Sequence, residues 1–338
     1  MKKRLLALAL SMTMALGFAG VASAEEFDPS EYSVAIAMDS MNHPVHRIVQ
    51  LGFLEAAEEL GYNAKVIGTE GGDTSEVFAA VESFSAEGGN GLLLWSGDDS
   101  GYETIKRVAA DGMVVGIPHF NHQLVDGEYP EGLAFNMACD PVLYGQQVAE
   151  LMAEKLDGME GYVALTQNTK NVTENAATDS FIATWESLGE TYDLSKITVG
   201  DVELEGGEVD AATTINLGII QAHPDIIGAF GTTGNSPVSW ADAASKAGYE
   251  DGELVLVGMD ATEGNLDYLE AGKVAAVVAQ PLYDEAHLTM EYLDKVFRGE
   301  EVPAWTDLEA PVVTVDGEGA NGLAHHREIA ARVAEYFE

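Results

Sequence analysis

Apolar and polar positions along this chain follow two rhythms, and the switch between them recurs from Tyr32 to Arg298. Short, nearly continuous apolar runs read as strands buried on both faces: YSVAIAM, GLLLW, MVVGIP, GYVALTQ, DIIGAFG, ELVLVGMD and KVAAVVAQ. Between them lie longer segments with apolar residues three and four apart, such as PVHRIVQLGFLEAAEEL, PVLYGQQVAELMAEKLDG, ENAATDSFIATWESLG and SPVSWADAASKAG, which read as helices. Punctuation agrees: Gly61 closes one helical run, and Asp73 with Glu76 and Ser100 with Glu103 have capping-box spacing at the start of two others. Buried strands alternating with helical crossovers predict parallel sheets. The length of 338 residues and a restart of the pattern near Phe135 and Asn136 predict two α/β lobes rather than one large sheet.

Composition adds a compartment. Met1–Arg4 are basic at three of four positions, an apolar run follows, and Ala22-Ser23-Ala24 has the small-residue form of a cleavage site. This predicts a signal peptide over residues 1–24, cleaved after Ala24, and a periplasmic or secreted protein. Cys139 is the single cysteine, so no internal disulfide can form and the core must hold the fold. The net charge of −41, from 57 acidic and 16 basic residues, argues against nucleic acid and anionic membrane surfaces as partners.

In parallel α/β sheets the chemistry collects beyond the carboxyl ends of the strands. That rule selects Asp39–His46, Trp95–Asp99 and His119–His122 in the first half. In the second it selects Gln167–Asn175, Thr232–Pro237, Met259–Thr262 and Gln280–Pro281. His43 and His46 in MDSMNHPVHR carry three readings: surface or helix-capping residues, hydrogen-bonding groups for hydroxyls, or metal ligands together with His119 and His122. A neutral imidazole donates from one nitrogen and accepts at the other, which suits a hydroxyl. Trp95 reads either as core or as a flat face for a ligand. Asp260 reads as a helix cap or a ligand acceptor. His325-His326 read as a solvated helix start. The chain lacks H-E-x-x-H, G-x-S-x-G and a dinucleotide fingerprint, and Cys139 has no partner pattern, so neither catalysis nor a cofactor is expected.

Several of these segments resemble the periplasmic sugar-binding proteins of bacterial ABC transporters, the ribose-binding type. SMNHPVH stands where that family has an Asn-Asn-Pro-aromatic-aromatic loop, and LGIIQAHPDIIGAF, LVGMDAT and GKVAAVVAQPLYDEA follow in the family's order. The resemblance implies two Rossmann-like lobes with parallel sheets, hinge-linked, closing over one ligand (the type I periplasmic-binding-protein fold). It places an N-terminal lobe at 25–135 plus 281–309 and a C-terminal lobe at 136–280 plus 310–338. It implies ligand contacts from Asp260 and Gln280, which match the family. His43 replaces an asparagine, and Val45 and His46 replace two stacking aromatics. Pro118 and His119 stand for Asp-Arg, Asn175 lies near a ligand-binding arginine, and Thr233–Asn235 surround an asparagine position. With Trp95, Asn121 and Glu174, these make the expected site: His43, His46, Trp95, His119, Asn121, Glu174, Asn175, Thr233, Asn235, Asp260 and Gln280. NVTEN and GNSP also look like loops of autoinducer-2 and rhamnose binders, which keeps a receptor role on the same fold open. The function implied is capture of a monosaccharide, sugar alcohol or cyclitol by a monomer that delivers it to a membrane permease.

Overall fold

The computed structural model describes residues 27–71, 73–95, 99–120 and 130–337. The signal-peptide segment and Asn121 lie outside these residues. Among them no helix is long and apolar enough to cross a membrane.

The chain forms two six-stranded sheets. The first sheet begins with β1 (Ser33–Met38), α1 (Pro44–Leu60), β2 (Asn63–Gly68), α2 (Thr74–Ala86) and β3 (Gly91–Leu94). It continues with α3 (Tyr102–Ala110), β4 (Val114–Pro118) and β5 (Leu133–Cys139). The second receives α4 (Pro141–Leu156), β6 (Gly161–Gln167), α5 (Val172–Leu188), β7 (Ile197–Leu204), α6 (Val209–Ala222), β8 (Ile226–Gly231), α7 (Ser236–Ala247), β9 (Val255–Met259), α8 (Glu263–Glu270) and β10 (Ala276–Val278). The chain then returns through α9 (Leu282–Phe297) to β11 (Trp305–Leu308), crosses again to β12 (Val312–Val313), and ends in α10 (Leu323–Phe337). The strand orders are β11-β5-β4-β3-β1-β2 and β12-β10-β9-β8-β6-β7. Every pairing is parallel except β10 with β12.

Local chemistry explains the elements. β1, β3 and β6 are buried along almost their whole length, as strands covered by helices on both faces must be. Asp73, Asp140, Asn171 and Thr262 cap helix starts with their side chains, and Pro44 and Pro141 occupy first turns where no amide hydrogen is needed. Each sheet is covered on both faces by apolar residues, around Phe53 and Met290 on one side of the first and Val81 and Ile105 on the other.

Two expectations are corrected. β5 runs through Phe135 and Asn136 to Cys139 in the first sheet, so the first crossing follows the strand rather than cutting it. Asn136 is fully buried, and its side chain donates to the carbonyls of Ile117 and Phe120, which satisfies a polar residue that looks like a boundary in sequence. The second concerns α10. His326 is buried and hydrogen-bonds the Ala320 carbonyl at 2.7 Å, while His325 is exposed. The helix itself straddles both halves: Arg332 reaches Glu55 on α1 and Tyr283 on α9, whereas Arg327 pairs with Asp267 and Glu270 on α8.

Candidate ligand-binding site

Strand order reverses between β1 and β3 in the first sheet and between β6 and β8 in the second. Crevices for ligands open at such points. The first one holds the histidines. His43 caps α1, its Nδ1 accepting the Val45 amide at 3.3 Å. His46, one turn on, donates from Nδ1 to the Ser40 carbonyl at 2.9 Å, since a carbonyl can only accept. Burial and then the neighbouring His43 lower the His46 pKa to about 4, and burial lowers that of His43, so both rings are neutral near pH 7. The free nitrogens are therefore complementary: Nε2 of His43 is left as a donor and Nε2 of His46 as an acceptor.

The aromatic series continues from His46 to Trp95 at 5.0 Å between ring centroids, and from Trp95 to His119 at 4.5 Å with the rings 7° from parallel. Phe120 packs edge-on against both Trp95 and His119. Trp95 is 8% exposed and stands at the centre of this aromatic series. His119 Nδ1 meets Glu285 Oε1 at 2.8 Å. Burial is the strongest influence and opposes the imidazolium, but the Glu285 charge, its hydrogen bond and the Asp260 charge together outweigh it and raise the His119 pKa.

The second sheet faces this wall with Asp260, at the end of β9. Its amide donates to the Val278 carbonyl, and Asn265 donates to the carbonyls of Asp260, Met259 and Gly234, tying two loops together. A Cβ on Gly234 would lie 2.4 Å from Asp260 Oδ2, so the absence of a side chain there makes room for the carboxylate. Asp260 is 7% exposed, and its Oδ1 has no hydrogen-bond partner among the described residues. Burial, partly offset by His119, raises its pKa to about 6. Among the described residues, His119 (φ 78°) and Asp260 (φ 67°) are the two non-glycine residues with left-handed backbone, and conformations of that kind gather at ligand sites. Their charges act on each other across the two sheets.

The remaining expected residues divide. Gln280 lies by this centre, its amide donating to Cys139 Sγ at 3.5 Å. Thr233 is buried and its hydroxyl accepts the Asn235 amide, while the Asn235 side chain bonds the Gly207 carbonyl. Glu174 is taken up by Asn171, the Asn168 amide and the Thr232 hydroxyl, which makes it the brace of the β6–α5 turn. Asn175 is exposed on α5. Two residues went unnoticed in sequence, Glu285 and Asn265, and Phe120, inside the selected His119–His122 segment, was given no role. Glu285 had a visible signal, being an acid inside the apolar stripe Leu282, Ala286, Met290 and Leu293 of α9. Among the described residues no three His, Cys, Asp or Glu side chains come together to hold a metal ion. A cavity of about 200 Å³ is lined by Gln280 together with Gln147, Ala261, Tyr283 and His325.

Comparison with known proteins gives one consistent result. Residues 34–301 match the family described as "Periplasmic binding protein domain". The ribose import binding protein RbsB of Haemophilus influenzae is 21% identical over 314 residues, covering 92% of this chain and 99% of that protein. A sugar-binding protein of a sugar ABC transporter from Bacillus halodurans superposes with a TM-score of 0.74 at 21% identity, over 87% of this chain and 99% of that one. A periplasmic solute-binding protein from Actinobacillus succinogenes with bound D-allose also gives a TM-score of 0.74, at 17% identity, over 88% of this chain and 99% of that one.

Proposed function

The chain belongs to the periplasmic binding protein domain family, and from that membership we propose that it captures a small polyhydroxylated molecule, a monosaccharide, sugar alcohol or cyclitol, for an ABC importer. The reading extends to export through residues 1–24, a periplasmic location, action as a monomer, and delivery to a membrane permease. The observation that carries it is the meeting of the Trp95–His119 wall with Asp260, whose Oδ1 is buried without a partner. Flat aromatic faces pack on the apolar faces of a sugar ring, and an unpaired carboxylate oxygen takes a hydroxyl hydrogen. The donor–acceptor pair of His43 and His46 suits hydroxyls in the same way. Closure of two lobes over such a molecule excludes water, so every hydroxyl must find a partner, and the cost of a missing one sets selectivity.

A thermal-shift screen of the chain against sugars, sugar alcohols and cyclitols, with and without chelator, tests this. A true ligand at a hundredfold excess over its Kd adds about 2.7 kcal/mol. The shift should persist in chelator and vanish in Asp260→Ala. Stabilisation by zinc alone would sink the reading.

A further inference from the structure

The inference concerns the charge of the captured molecule, and it rests on the reading of this cleft as a polyol site. Asp260 and Glu285 are both buried there, 7% and 0% exposed. Among the described residues, neither Asp260 Oδ1 nor Glu285 Oε2 finds a hydrogen-bond partner. A buried carboxylate left partly unsatisfied is among the most costly groups a fold can carry, so a ligand that meets it is strongly favoured.

The local charges do not balance. Among the described residues, His119 and Glu285 are the charged groups that act on Asp260. His119 brings at most one positive charge and directs it at Glu285 Oε1. Two carboxylates against one imidazolium leave one negative charge over. Among the described residues the ion-paired arginines are engaged elsewhere: Arg107 with Glu82, Arg298 with Asp294, Arg327 with Asp267, Arg332 with Glu55. An anion is repelled by this cleft. A neutral polyol can donate hydroxyl hydrogens to both oxygens, but it leaves the excess charge buried. An ammonium group supplies up to three donors and cancels that charge.

We propose that the cleft holds a cationic polyol, an amino sugar or aminocyclitol, whose ammonium group lies against Asp260 Oδ1 and Glu285 Oε2 beside the Trp95–His119 stack. Discrimination comes from charge-assisted hydrogen bonds that a hydroxyl cannot match.

Isothermal titration of the full chain with matched series tests it: D-glucosamine, D-galactosamine, D-mannosamine and a monoamino-inositol, each beside its neutral parent and its N-acetyl derivative. At least one amine should bind about tenfold tighter than both neutral forms. In Asp260→Asn, checked as folded by circular dichroism, that advantage should fall to about twofold or less, because the amide accepts a hydrogen bond but carries no charge. A neutral parent that binds as tightly as its amine overturns the inference and leaves the polyol reading standing. An amine preference unchanged in Asp260→Asn also overturns it. Silence from both series overturns the inference and the polyol reading together.

Discussion

His119 and Asp260 each follow a parallel strand and each adopts left-handed backbone, yet they are held in place by different means. Asp260 is fixed locally: Asn265, five residues on, bonds its carbonyl, and the neighbouring strand accepts its amide. His119 is fixed from afar, by Glu285 in a helix 166 residues later and by stacking on Trp95. Disturbing one turn should therefore be a local event, while disturbing the other should reach the packing of α9 against the first sheet.

The largest expected effect breaks that distant support. Glu285→Ala strands His119 beside a cavity and should cost about 3–5 kcal/mol in urea unfolding, as loss of one partner of a buried pair does. Glu285→Gln, which keeps a hydrogen-bonding group, should cost less. Asp260 should behave in the opposite sense. Its folded pKa of about 6 lies above the ordinary 3.8. The fold thus gains from protonation, fully below pH 3.8 and not at all once pH has risen through about 6. Asp260→Asn should stabilise the unliganded chain at pH 7 by up to about 3 kcal/mol, the equivalent of that shift, while weakening ligand binding. The difference between the two proteins should close as pH falls from 6 to 4. A variant that is less stable than the parent at pH 7 would remove the idea that this acid is kept at a cost for its ligand. Next comes Asn265→Ala, which leaves three buried carbonyls short of a donor and should cost about 1–3 kcal/mol in thermal unfolding while weakening ligand binding. The smallest effect belongs to His43→Ala, where a long cap bond of 3.3 Å is lost and about 0.5 kcal/mol is expected.

The same contrast explains what could be read in the sequence. Strands such as GYVALTQ and helices such as PVHRIVQLGFLEAAEEL coincide with β6 and α1 because their periodicity, caps and prolines are local signals. Asp260 stood out because it follows a strand in LVGMDAT, a short local segment that carries the family resemblance. β5 was missed because its burial of Asn136 depends on carbonyls that only folding brings near. Glu285 was missed because its partner lies on another strand's end, and a lone acid in a helix reads as surface until its stripe is traced. The Trp95–His119 stack joins residues 24 apart through β4 and β3, a register that spacing alone does not reveal.

The final helix has a consequence for exchange rate. α10 grips α1 and α9 through Arg332 and α8 through Arg327, so it stitches together the two halves that carry the proposed ligand residues. A motion that parted the sheets would have to break one of these arginine contacts or drag the helix along. Salt weakens such exposed contacts. The dissociation rate of a bound molecule is thereby coupled to the ionic strength of the surrounding medium, through residues that never touch it.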